Sequence, residues 1–135
     1  MSSTPSSTEW NDKRLAFAIS CLFHDAIDRA EFRKWCIAQI GRGEVPSYVY
    51  DLLDFDEALF KIYQPIGYVP HWGHTKSDEA ALYGIAITRG CTPFDIPVTP
   101  SAALAALGRA PEISSLFMRE FSFIVLPPAP GAEPA

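Results

Sequence analysis

The stretch LAFAISCLFHDAIDRAEFRKWCIAQIG, residues 15–41, determines the fold class, because it holds two helix patterns separated by a short link. We predict a first helix from Asn11 to about Ala26 and a second that is capped by Asp28 and Glu31 and stopped at Gly41. Two helices joined by so short a link should be antiparallel neighbours. In the first helix, apolar residues recur at intervals of three and four, the period of an amphipathic helix; they are Leu15, Ala18, Ile19, Leu22, Phe23 and Ala26.

The next segment, PSYVYDLLDFDEALFKIY at residues 46–63, alternates acidic residues with large aromatic ones. Pro46 can occupy the first position of a helix. If that helix continued straight on, Asp56 would fall on its apolar face, so we predict a break at Asp54. Asp54 would then cap a second helical piece with Glu57 at its third position. This arrangement turns Phe55, Leu59, Ile62 and Tyr63 inward and leaves Tyr50, Asp51, Asp56 and Phe60 outward.

Residues 64–74 are rich in proline and glycine, which predicts a loop. Ser77 is then a suitable N-cap for a helix that ends at Gly90. Its apolar residues point in all directions, a pattern typical of a central, buried helix. Gly84 in its middle costs about 1 kcal/mol relative to alanine, so we expect a close helix crossing there.

The C-terminal part begins with Thr99 and Pro100, which suit the N-cap and first position of a helix ending at Gly108. A last helix should include residues 113–121, and residues 121–126, FSFIVL, fit either a helix or a strand. The chain is therefore predicted to be a mainly α, single-domain bundle of about six helices, with a short strand near the C-terminus as an alternative. Residues 1–7 and the Pro- and Ala-rich residues 127–135 are predicted to be disordered, around a globular domain at 8–126.

Composition narrows the functional class. The chain has 135 residues and a net charge of −5, which disfavours nucleic-acid binding, since that relies on lysine and arginine at phosphates. It has no apolar run long enough for a membrane helix, and its N-terminus does not resemble a secretory signal. Its three cysteines have no C-x-x-C spacing, so we expect buried, reduced thiols in a cytoplasmic protein.

The loop HWGH contains the best candidates for metal or enzyme chemistry, His71 and His74. Asp78 or Glu79 could complete a site with them. Flanking proline and glycine favour instead a surface loop with Trp72 folded onto the core, and His24 is predicted to lie in a different helix. No phosphate-binding or nucleophile motif occurs, and we predict no catalytic residue, metal ligand or cofactor.

A binding surface is the remaining candidate site. We call it the acidic–aromatic surface, and its residues are Tyr48, Tyr50, Asp51, Asp54, Asp56, Glu57 and Phe60. Its carboxylates could act as an acid–base pair, as helix caps and solubilising charges, or as hydrogen-bond acceptors for a partner's basic side chains with the aromatics as anchors. We favour recognition as the functional hypothesis, because Tyr50 and Phe60 have no obvious core position.

Residues 31–55, EFRKWCIAQIGRGEVPSYVYDLLDF, resemble the bacterial immunity proteins of polymorphic toxin systems such as contact-dependent inhibition. The resemblance implies a small cytosolic inhibitor that occludes the basic active site of a toxin domain, for example a nuclease. It assigns no individual functional residue. The expected partner is a basic protein and not a nucleic acid or a membrane, and the chain would be a monomer or a homodimer. A small enzyme at the His71/His74 loop and a structural subunit that dimerises near the C-terminus are the alternatives.

Overall fold

A computed structural model describes residues 10–91, 93 and 96–126. Within this part of the chain the protein forms seven α-helices and one 3-10 turn, and no strand, which confirms the mainly α prediction. Residues 121–126, the segment for which a strand was the alternative, contain turns at 121–123 and a bend at 124, and none of the six is in a strand or a helix. The predicted disordered ends lie outside the described residues. The helices are α1 Asp12–Phe23, α2 Arg29–Arg42, α3 Tyr48–Leu53, α4 Tyr63–Ile66, α5 Lys76–Thr88, α6 Pro100–Gly108 and α7 Pro111–Glu120, with the 3-10 turn at Leu59–Lys61 before α4.

Local capping signals explain where several helices begin. The Asn11 side chain accepts a hydrogen bond from the Arg14 amide at the start of α1. Asp28 and Glu31 form the predicted capping box of α2. The predicted N-cap of α5 is wrong: Thr75, not Ser77, caps the helix, in a capping box with Asp78. A capping box satisfies two otherwise unpaired amides, which favours the earlier start.

The ends of α1 and α2 differ from the sequence prediction by a few residues. The first helix ends at Phe23 rather than Ala26, because Asp25 adopts the left-handed conformation at φ 61°. The Ala26 amide then bonds the Cys21 carbonyl at 2.9 Å, which is the C-terminal pattern of many helices. The second helix continues past Gly41 to Arg42 and stops at Gly43.

The predicted break at Asp54 is confirmed, but the helical piece that was expected to follow it is not. Asp54 is the C-cap of α3, not an N-cap, and Glu57 is not in a helix. Helical structure resumes only at Leu59, and it continues into α4, which includes residues 64–66 of the predicted loop. One cause is a long-range contact: the Glu57 carbonyl accepts a 2.6 Å hydrogen bond from the Arg29 guanidinium.

The hydrophobic core surrounds α1, which is buried on almost every side. The sequence predicted this central position for α5, whose buried residues include Leu82, Gly84 and Ile85. The predicted close crossing at Gly84 is confirmed, because a Cβ atom there would lie 2.6 Å from the Ala103 carbonyl oxygen of α6. The core of the protein thus has α1 at its centre and an α5–α6 pair in contact at Gly84.

A buried ion pair joins the first and last helices. The Nε atom of Arg14 in α1 lies 3.0 and 2.9 Å from the two carboxylate oxygens of Glu120, at the end of α7. The side chains are only 8% and 3% exposed. The Trp35 indole of α2 donates a 3.1 Å hydrogen bond to the same carboxylate, so three helices meet at Glu120.

The cysteines are free, but only two of the three are buried. Burial raises the pKa of the Cys36 thiol to about 12 and raises that of Cys21 as well. Cys91 is exposed after the end of α5, so the expectation of buried thiols is wrong for this residue. Cys91 follows the C-terminus of α5, whereas Cys21 and Cys36 are among the buried residues of α1 and α2.

Candidate functional site

The acidic–aromatic surface is exposed at six of its seven residues. In α3, Val49 and Leu52 face the core, which leaves Tyr50 and Asp51 on the opposite side. Tyr50 is 53% exposed and Phe60, in the 3-10 turn, is 75% exposed. The remaining exposed members are Asp54, Asp56 and Glu57. The inward set of the sequence analysis is also confirmed, because Phe55, Leu59, Ile62 and Tyr63 are buried or pack against the core.

Tyr48 differs from the other members because it is half-buried. Its ring packs edge-on against Trp10, with the centroids 6.1 Å apart. Its hydroxyl lies 3.1 Å from that of Tyr68, which in turn donates to Asp12. Burial raises the pKa of the Tyr48 phenol. Tyr48 therefore fixes α3 against the core and contributes little free surface.

Arg29 holds the linker between α3 and the 3-10 turn in place. Besides its hydrogen bond to the Glu57 carbonyl, its guanidinium lies 5.5 Å from the centre of the Phe55 ring. The second contact is a cation–π interaction. Since Arg29 is the first residue of α2, these contacts attach the acidic–aromatic surface to the start of that helix.

A cavity of about 530 Å³ opens beside this attachment. Its apolar wall consists of Leu22, Ile27 and Leu59. Its charged wall consists of Asp25, Asp28, Arg29, Glu31 and Arg89, and Cys91 and Pro93 complete the lining. We call it the α1–α2 cavity. No pattern in the sequence indicates this cavity, because its residues come from segments that are distant along the chain.

Two of the charged groups in the α1–α2 cavity form a partly buried ion pair. The Arg89 guanidinium donates two hydrogen bonds to the Glu31 carboxylate and a third, of 2.7 Å, to the Ala26 carbonyl. The hydrogen bonds from Arg89 lower the pKa of Glu31 and in return raise that of Arg89. This pair ties the end of α5 to the start of α2.

The histidine loop does not bring His71 and His74 together. Instead, His74 and His24 lie on either side of Glu79, with Nε2 atoms 3.0 and 3.8 Å from its two carboxylate oxygens. Of the residues considered for a metal or enzyme site, His74 and Glu79 are therefore in contact, whereas His71 is exposed and the second histidine near Glu79 is His24, at the end of α1. Trp72 stacks on His74 at 4.5 Å and donates a hydrogen bond to Ser20. Trp72 therefore packs onto α1, as predicted for a surface loop with Trp72 folded onto the core.

The hydrogen bonds of the two histidines indicate which ring nitrogen of each one donates. His24 Nδ1 lies 2.6 Å from the Ser20 carbonyl, so that nitrogen carries the proton. In His74, Nε2 donates to Glu79, while Nδ1 is buried without a hydrogen-bond partner in the described chain. No group of three or more His, Cys, Asp or Glu side chains among the described residues could hold a metal ion. The cluster thus joins α1, the loop and α5.

No protein-family model, curated protein or solved structure matches this chain. None of the described helices is both long and apolar enough to cross a membrane. The assignment of function therefore depends on the surface and the cavity themselves.

Proposed function

We propose that this protein is a small acidic binding protein that covers a basic surface of a partner protein. The observation that carries the proposal is the pair Tyr50 and Phe60, which are 53% and 75% exposed within a group of exposed carboxylates. Large rigid aromatics supply most of the binding energy at protein interfaces, and charge-assisted hydrogen bonds set orientation and specificity. An exposed aromatic pair among acidic residues therefore suits a partner rich in lysine and arginine.

The charges of the surface support a basic partner. Glu57 has a cation nearby, Lys61 at 3.6 Å. Asp51, Asp54 and Asp56 form no ion pair within the described residues, so their carboxylates are accessible to a partner. With the net charge of −5, they would also steer a basic protein into contact and raise the association rate.

The kind of partner that best fits is a toxin domain with a basic active site, such as a nuclease, which a cytoplasmic immunity protein would occlude. The resemblance of residues 31–55 to immunity proteins supports this choice, since that segment ends within the acidic–aromatic surface. A nuclease active site is basic because it binds phosphates, and an acidic inhibitor offers it a similar pattern of charge. The proposal involves no catalysis and no cofactor.

Homodimerisation is the second candidate, because several apolar side chains near the C-terminus are exposed. Met118 is 44%, Phe123 is 42% and Val125 is 90% exposed. Sedimentation velocity over a hundredfold range of concentration would detect a dimer, and Phe123→Ser should then lower its population. A constant monomer mass would exclude this candidate.

The acidic–aromatic surface can be tested by affinity measurements against a toxin domain encoded next to this protein, where the gene neighbourhood holds one. Phe60→Ala should weaken binding by at least about 2 kcal/mol, the level of an interface anchor. Val125→Ala removes an apolar side chain that is even more exposed and should leave affinity unchanged. Equal effects of the two substitutions would contradict the proposal.

The charges are tested separately by salt titration. Asp51→Asn/Asp56→Asn should slow association and reduce its dependence on ionic strength. Glu44→Gln/Glu112→Gln removes the same number of exposed charges elsewhere and serves as the matched control. If both double variants slowed association equally, net charge and not this surface would be responsible.

A further inference from the structure

The α1–α2 cavity adjoins the acidic–aromatic surface. Leu59 lines the cavity, and the neighbouring Phe60 is the most exposed aromatic of the surface. Arg29 lies in the charged wall and bonds the Glu57 carbonyl. A partner that covered Phe60 would therefore lie close to the cavity.

The net charge of the side chains that line the cavity is negative. Three carboxylates face two guanidinium groups in its wall. Arg89 is bound to Glu31, and Arg29 to a backbone carbonyl and an aromatic ring. The Asp28 carboxylate accepts one hydrogen bond, from the Glu31 amide, and Asp25 forms no side-chain hydrogen bond or ion pair within the described chain. Both aspartates are exposed at the rim.

The lining of the cavity suits a long side chain with a charged end. Its wall of Leu22, Ile27 and Leu59 is apolar and could cover the methylene stem of an arginine or lysine. The carboxylates of Asp25 and Asp28 could then accept hydrogen bonds from the charged end. Arginine fits better than lysine, because its planar guanidinium has five donors and loses less hydration.

We infer that the α1–α2 cavity binds an arginine side chain of the partner, with Asp25 and Asp28 as the charge-recognising residues. This inference rests on the proposed function and deepens it, since it adds two residues from the α1–α2 turn and names the partner's anchor. The guanidinium enters as a cation and leaves unchanged, so no chemical step is involved.

The test uses the purified full-length protein and N-acetyl-L-arginine amide, whose ends are uncharged, as the probe. Titration followed by ¹⁵N NMR should shift the amides of residues 25–29 and 59. Asp25→Asn/Asp28→Asn should weaken the binding of the probe by about tenfold or more. Asparagine tolerates the left-handed conformation of residue 25 and is a good N-cap at residue 28, so this variant should keep the fold.

Two controls make the result specific. Glu44→Gln/Glu112→Gln loses the same charge elsewhere and should bind the probe like the natural chain. N-acetyl-L-alanine amide, which lacks the guanidinium, should give no shifts at the cavity. The inference is overturned if the arginine probe shifts no cavity amide, if the alanine probe shifts them equally, or if inorganic phosphate shifts them instead.

This experiment separates the cavity from the proposed function. If the arginine probe shifts only residues of the acidic–aromatic surface, the cavity inference is wrong while that surface keeps its role. If the probe binds the cavity but Phe60→Ala leaves partner affinity unchanged, the proposed function fails and the cavity remains an arginine site.

Discussion

Replacement of Glu120 by glutamine should destabilise the protein by about 3 kcal/mol. Glu120 is buried and receives hydrogen bonds from Arg14 and Trp35. Removing one partner of a buried ion pair typically costs about 3–5 kcal/mol. We expect the lower end, because glutamine keeps an acceptor for the Trp35 indole at 3.1 Å and loses only the charge that faces Arg14.

Urea unfolding followed by far-UV circular dichroism measures this loss, since the secondary structure is helical. For a chain of 135 residues, a loss of about 3 kcal/mol lowers the melting temperature by about 10 °C. Glu44→Gln is the matched control, because Glu44 is exposed between α2 and α3, and it should change stability by less than about 0.5 kcal/mol.

Comparison with a double variant tests the cause. Arg14→Met/Glu120→Gln removes both charges, keeps an acceptor for the Trp35 indole and leaves no unpaired buried charge, the state that makes removal of one partner costly. The double variant should therefore be more stable than Glu120→Gln. If Glu120→Gln cost less than about 1 kcal/mol, or if the double variant were the least stable of the series, the ion pair would not be a stabilising contact of the core.

Three further predictions concern the core, the response to acid and the thiols. Gly84→Ala should destabilise the protein by about 1–3 kcal/mol through overpacking. Gly41→Ala, where an added Cβ would have no atom within 4 Å, should stabilise it by about 0.5–1 kcal/mol. If urea titrations gave both substitutions a change in unfolding free energy of the same sign, the close crossing at Gly84 would be contradicted. Because Arg89 lowers the pKa of Glu31 from 4.5, the stability that the pair contributes is present above that value and is lost as pH falls through the lowered pKa. Glu31→Gln should flatten this decline in melting curves between pH 5 and pH 2, and parallel curves would argue against the pair. A thiol reagent should modify only Cys91 in the native state, and modification of more than one thiol per native chain would show that the other two are accessible.

The helix starts could mostly be predicted, because their signals are local. Asn11, Asp28 and Thr99 cap the helices that follow them through contacts within three residues. The missed N-cap also had a local signal, since Thr75 and Asp78 have capping-box spacing. This spacing, and not Ser77, marks where α5 begins.

The remaining errors have long-range causes. The linker after α3 fails to continue as a helix partly because Arg29, 28 residues earlier, bonds the Glu57 carbonyl. His24 meets Glu79 only through the packing of α1, the loop and α5. Periodicity correctly separated the outward residues of the acidic–aromatic surface from the inward ones, but it could not place Asp25 and Asp28 beside that surface.

The contact between Arg14 and Glu120 also constrains how the chain can mature during synthesis. The two residues are 106 positions apart, and α1, the most buried helix, leaves the ribosome well before α7. At a synthesis rate of about 5–20 residues per second, roughly 5–20 s pass between the synthesis of Arg14 and that of Glu120. During that interval the apolar faces of α1 lack α7, so nascent chains that stall before residue 120 should bind chaperones and be degraded.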